Sequence, residues 1–149
     1  LARLGWAIIE SSARKPVLVG CGCLETPAGT ATERRLLQLF RRLNDIIREY
    51  RPTEVAVEKL FFTKNVTTGI VVGQARGIVL LAAAERDLPV SEFTPTSVKA
   101  TIAGDGRADK RQMGRMIQLL LNLKHLPKHD DTTDAMAIAL CAASTNVVH

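Results

Sequence analysis

Cysteine is scarce in this chain, with three residues in 149. That number excludes a disulfide-stapled secreted scaffold. Cys21 and Cys23 sit two apart in an apolar run, and Cys141 is distant in sequence. All three read as reduced, small hydrophobes of a reducing cytoplasm. A lone C-x-C pair with no clustered histidine makes a poor zinc site. Aromatics are few: four Phe, one Trp and one Tyr. Acidic residues are outnumbered by basic ones, 15 to 20, for a formal net charge of +5. Such a surplus points to a polyanionic partner, most often nucleic acid. No apolar run is long enough to cross a bilayer. The richest stretch, residues 70–84, is interrupted by Gln74 and Arg76. No basic segment followed by an apolar one marks a signal peptide. There is also no repeat, linker or low-complexity tract, so one domain is expected over residues 1–149.

What is there reads as alternating strands and helices. Trp6–Glu10 and Val17–Leu24 suggest two strands joined by a polar turn. After the Pro27-Ala28-Gly29 break, Thr30 and Glu33 have capping-box spacing for a helix. Leu36, Phe40, Leu43, Ile47 and Tyr50 give that helix one apolar face, and Pro52 ends it. A short buried strand over Glu54–Glu58 follows. Next come a helix from about Val66 to Arg86, a strand over Pro89–Phe93 and a short helix opened by Thr94-Pro95. Asp109 with Gln112 caps a helix over Lys110–Leu123, with Met113, Ile117 and Leu120 inward. A last helix runs from about Asp130 to Ala143. This order predicts an α/β fold: a mixed five-stranded sheet, its first strands antiparallel and the remainder parallel, with helices on both faces.

Three acids stand out. Glu58 ends the apolar run Val55-Ala56-Val57, and sites in α/β sheets gather at the carboxyl ends of strands. Alone, it reads more readily as a glutamate that has simply reached solvent where the strand ends. Asp131 and Asp134 lie three apart, so the first turn of a helix shows both on one face. Aspartates also favour helix starts as caps, which is the reading preferred for Asp130. Asp134 lies deeper. Two carboxylates facing one way repel, and a divalent cation removes that repulsion. Acids from separate elements holding such ions are the usual equipment for in-line phosphoryl displacement.

The stretches Val55-Ala56-Val57-Glu58-Lys59-Leu60-Phe61, Gly73-Gln74-Ala75-Arg76-Gly77 and Asp131-Thr132-Thr133-Asp134-Ala135-Met136-Ala137, in that order, resemble the RuvC family of Holliday junction resolvases, within the RNase H-like superfamily. Essentially the whole chain takes part. The resemblance implies a homodimeric, structure-selective endonuclease of DNA recombination and repair. It would cut four-way junctions in paired fashion, using Mg²⁺ (or Mn²⁺) with two ions per site, and would act with a branch-migration motor. Three of the family's four acidic ligands map onto Glu58, Asp131 and Asp134. The fourth, a first-strand aspartate, is expected just ahead of Leu1, so the domain reads as N-terminally incomplete. A polypeptide lacking that acid is expected to bind junctions but fail to cut them. Lys99 and Lys110 match family lysines that assist near the scissile phosphate. Phe61 matches an aromatic that stacks on a base, and Phe62, Lys59, Lys64, Asn65, Arg76 and Arg107 are the further DNA-contact candidates.

Gly69, Gly73 and Gly77 recur every four residues on one helix. Glycine is costly there, so another backbone is expected to approach, either the sheet or the same helix of a second subunit. Three other readings stay open at this level. One is another RNase H-like nuclease acting on RNA hybrids or in transposition. Another is a non-catalytic junction clamp. The most distant is a sugar-kinase-like phosphotransferase, for which a second nucleotide-binding domain has no room.

Overall fold

In the computed structural model the described residues are 2–11, 15–59 and 66–145. Small and β-branched residues alternate at the start of the chain, and they form two long strands. β1 spans Ala2–Glu10 and β2 spans Val17–Thr26. They pair antiparallel, with Gly5 opposite Cys23 and Trp6 opposite Gly22, and the register shifts between Ile8 and Ile9. Both strands begin or end beyond the range their alternation suggests, because the ladder continues through Ala2↔Thr26.

Helix α1 covers Thr32–Tyr50. Its start differs from the expected capping box. Ala31 occupies the cap position and no side chain caps it. Thr30 belongs to the preceding turn, its N–H donating to the Pro27 carbonyl (3.4 Å), while the Arg35 guanidinium donates to the Thr30 carbonyl (3.1 Å). The apolar face buries Leu39 and Leu43 against Leu24 of β2, with Trp6, Ala75, Ile78 and Val79 alongside. At the far end Tyr50 meets Trp6, ring centroids 5.7 Å apart. Arg51 closes the helix in the left-handed region at φ 49°, just ahead of Pro52.

β3 (Val55–Glu58), α2 (Val66–Glu85) and β4 (Val90–Phe93) form a β-α-β unit. β3 and β4 pair parallel, Glu58 opposite Phe93. The Lys59 N–H donates to the Phe93 carbonyl at 2.7 Å, so the pairing continues one residue past β3. α3 (Pro95–Ala103) starts from Thr94, whose side chain and Ser97 bond reciprocally, with proline in the first turn. α4 (Lys110–Leu121) starts from the Asp109–Gln112 capping box. Its buried side is Gly114, Ile117 and Leu121. Leu120 is 37% exposed, because the i, i+4 pair that faces inward is Ile117–Leu121.

α5 (Asp130–Thr145) is the central helix. Met136, Ala137, Leu140 and Cys141 are buried with Val98, Ile102, Ile117 and Leu121, and Ala7, Ile9, Leu18 and Phe93 close the cluster. α5 therefore packs on strands of both sheets.

The described residues hold four strands in two separate two-stranded sheets, β1–β2 and β3–β4, rather than one five-stranded sheet. After β2 the chain turns at residues 27–29 and enters a helix of 19 residues, so no third antiparallel strand follows. α5 lies against both pairs. No helix among the described residues is long and apolar enough to cross a membrane.

Candidate active site

The parallel ladder ends at Glu58, and α5 begins beside it. Glu58 reaches solvent at the strand end, yet the surrounding protein withdraws enough water to raise its pKa above the ordinary carboxylate range. The negative charge of Asp134 pushes it further the same way. Asp134 is raised too, first by desolvation, then by Asp131 and Asp130, with Lys110 opposing. Two elements far apart in sequence thus bring Glu58 and Asp134 into one electrostatic neighbourhood, and the helix repeat adds Asp131. The donor set is entirely carboxylate oxygen, which fits a hard divalent cation. The mutual repulsion is the charge imbalance that a cation relieves.

Backbone contacts that the sequence does not announce fix the start of α5. Gly5 of β1 lies directly under it. A Cβ at Gly5 would sit 2.0 Å from the Asp131 carbonyl oxygen and 2.7 Å from the Thr132 nitrogen. Only a bare Cα admits this approach. Thr132 is buried at 2% exposure, and its hydroxyl donates to the Gly22 carbonyl of β2 at 3.1 Å. The two contacts seat the acidic turn on the β1–β2 pair. No local periodicity marks either residue, since both act across long sequence separations.

Arg76 of α2 faces the same strand end. Its Nη2 pairs with Glu92 at 2.9 Å, and its Nε donates to the Glu58 carbonyl at 3.4 Å. Expected as a DNA contact, it is here a brace between α2, β4 and the end of β3. Lys110 is fully exposed and pairs with Asp130, which raises its pKa; Asp134 contributes in the same direction. The Asp130 carboxylate therefore faces a lysine on α4 rather than serving only its own helix. Lys99 is half-buried on α3. Arg107 is almost wholly exposed in the loop before α4, 4.0 Å from Asp105. Lys59 is exposed beside Glu58. Phe61, Phe62, Lys64 and Asn65 lie outside the described residues.

Among the described residues, nothing lies within 4 Å of where a Cβ on Gly73 or Gly77 would stand. The sheet is therefore not the backbone that approaches them, which removes one of the two expected explanations. Ile70 (56% exposed) and Leu81 (54%) continue the same helical row outward. Gly69 is half-buried one turn earlier.

A second cluster of potential ligand atoms lies apart from these acids. Cys23, Glu25 and His129 place one ligand atom each within 4.8 Å of one another. Among the described residues no other set of three His, Cys, Asp or Glu converges this closely, the carboxylates of Glu58, Asp131 and Asp134 included. Cys23 of the C-x-C pair has a histidine near it, brought from the entry to α5.

Comparison with known proteins covers nearly the entire chain. The profile of the family described as "Crossover junction endodeoxyribonuclease RuvC" matches residues 1–142. A protein of that name from Desulfitobacterium hafniense is 50% identical over 149 residues, 99% of this chain and 90% of the relative. One from Chloroflexus aggregans is 50% identical over 144 residues, 97% of this chain and 88% of the relative. Among solved structures, Thermus thermophilus RuvC superposes with a TM-score of 0.87 at 31% identity, covering 96% of this chain and 89% of that one. The structure of T. thermophilus RuvC in complex with Holliday junction substrate superposes at 0.88 with 33% identity, covering 93% and 85%. The architecture described above is thus the α/β fold of these structures.

Proposed function

This chain belongs to the RuvC family of crossover junction endodeoxyribonucleases, and on that premise we propose that it resolves four-way DNA junctions by metal-dependent hydrolysis at Glu58, Asp131 and Asp134. The observation that carries the reading is the meeting of Glu58 and Asp134 at the end of a parallel strand: burial raises the Glu58 pKa and the charge of Asp134 adds to it, while burial and Asp131 do the same for Asp134.

Glu58, Asp131 and Asp134 would hold the cation. Mg²⁺, or Mn²⁺ in its place, would supply Lewis-acid activation and charge neutralisation there, with two ions per site as the expected complement for in-line phosphodiester hydrolysis. The chain's own groups do the rest. Asp131 and Asp134 share one helix face, so their separation is set by the helix and not by flexible loops. Gly5 and Thr132 hold that turn on β1 and β2, and Arg76 holds the backbone of Glu58. Lys110 carries its positive charge to the edge of the acids, where it can face a phosphate oxygen. Lys99 is the second lysine assigned to that task. Phe61 is assigned to stacking on an unpaired base, with Phe62, Lys59, Lys64, Asn65 and Arg107 on the flanking backbone. The net charge of +5 favours the approach of DNA.

Paired incision needs two sites. The exposed row Ile70, Gly73, Gly77 and Leu81 on α2 supports a homodimer in which α2 meets its counterpart, with Gly69 at the near end. A cytoplasmic location and a branch-migration motor as partner complete the reading.

The test compares substrates with protein expressed from its intact gene. Mg²⁺-dependent nicking of a four-way junction, with little cutting of an RNA–DNA hybrid or linear duplex, is the expected result. Preferential cutting of the hybrid would replace the resolvase reading with that of another RNase H-like nuclease.

A further inference from the structure

The cluster of Cys23, Glu25 and His129 takes no part in the carboxylate chemistry above. Cys23 and Glu25 stand two apart on β2, so both side chains leave the same face of the strand. His129 comes from the residue just ahead of α5. Its Nε2 lies 3.2 Å from a Glu25 carboxylate oxygen. That separation already suits two ligands on one tetrahedral ion, given metal–ligand bonds of about 2.0–2.3 Å. Thiolate, imidazole and carboxylate together form a borderline-soft set, selecting Zn²⁺ over the Mg²⁺ preferred by an all-carboxylate site. Burial raises the pKa of the Cys23 thiol, and the negative charges of Asp131 and Glu25 add to it, a charge that a bound cation would offset. The competing cation is Arg3, at 3.5 Å from Glu25 in an exposed, weak contact.

We propose that Cys23, Glu25 and His129 form a Zn²⁺ site, separate from the carboxylate centre, that fastens the entry of α5 to strand β2. Three protein ligands leave one position for water. The ion would act on the turn that carries the acids, since the His129 carbonyl accepts from the Thr132 N–H (3.1 Å) and the Thr133 N–H (3.4 Å). Thr132 in turn holds the Gly22 carbonyl, next to Cys23. Metal binding at His129 thereby stiffens the seat of Asp131 without occupying it.

The probe is Co²⁺, which takes zinc geometry and gives a thiolate-to-metal charge-transfer band. The full chain, stripped with chelator, is titrated with Co²⁺ and then with Zn²⁺ in competition. One Co²⁺ per chain accounting for the thiolate band, displaced by Zn²⁺, is the expected result, any Co²⁺ at the carboxylates giving no such band. Both C23S and H129A should weaken binding by at least about 100-fold, since even outer-shell partners are worth 10–100-fold. The band should persist in C21S and in the E58Q/D134N double variant. Because a change at Cys23 perturbs the sheet, H129A on the entry to α5 provides an independent arm, with circular dichroism verifying the fold of each variant. Absence of the band at saturating Co²⁺ overturns the proposal and leaves a Glu25–His129 ion pair beside an unrelated thiol. So does a band that survives C23S or H129A, or one lost with the carboxylates.

Discussion

Replacing Gly5 by alanine tests whether the seat of α5 controls the chemistry. The added Cβ would lie 2.0 Å from the Asp131 carbonyl oxygen and 2.2 Å from its carbon, where ordinary contact begins at 3.4 Å. The obstacle is backbone, so no side chain can swing aside. The difference between 3.4 and 2.0 Å requires β1 and the first turn of α5 to separate by about 1.4 Å, an overpacking that costs about 1–3 kcal/mol. Asp131 and Asp134 ride on that turn, while Glu58 is held independently by β4 and Arg76. The acids therefore move relative to one another. A misplacement of about 1 Å at a reacting centre costs about 100-fold in rate. The assay is single-turnover cleavage of a four-way junction at saturating protein and Mg²⁺, beside a urea melt and a binding titration. G5A should remain folded and junction-binding, with cleavage down about 100-fold. Cleavage within about twofold of the unsubstituted protein would refute the reasoning, because the turn would then tolerate the shift.

Three further outcomes follow from the same geometry. The raised pKa of Glu58 and of Asp134 means that the native protein binds protons there more tightly than the unfolded chain does, so stability from these groups is present at low pH and lost as pH rises through the raised values. E58Q should accordingly melt higher than the parent at neutral pH without metal, lose that advantage below the ordinary carboxylate range, and cut no DNA; equal melting at both pH values would contradict it. R76A removes the pair with Glu92 and the bond to the Glu58 carbonyl, so urea unfolding should show a loss of about 1 kcal/mol, with a lowered cleavage rate at saturating junction; an unchanged rate would show that Arg76 does not position Glu58. G73L fills the open space on α2, and sedimentation should show a weakened dimer with the monomer still folded; undiminished dimer mass would place the interface elsewhere.

The three acids were legible because each carries its own local context: Glu58 at the end of an apolar run, Asp131 and Asp134 at helical spacing. The Asp109 capping box was legible for the same reason. Gly5, Thr132 and His129 were not, since each matters only through an element far away in sequence, and nothing beside it changes period or composition. Thr30 shows the converse. It has a cap's spacing, but a tight turn to Pro27 and the Arg35 side chain use its backbone, so the helix starts at Thr32. Of the expected mixed sheet, the described residues carry an antiparallel pair and a parallel pair, with α5 packed against both. The spacing of Gly73 and Gly77 was legible, but their open surroundings were not, since they depend on where the sheet packs.

The central claim is that Glu58, Asp131 and Asp134 act together on a four-way junction. The most direct measurement is the Mg²⁺-dependent incision of such a junction by protein from the intact gene, compared with D134N, with binding followed in parallel. Symmetric paired nicks by the parent, and none by D134N despite undiminished junction binding, is the result this account predicts. Equal cutting by D134N would contradict it.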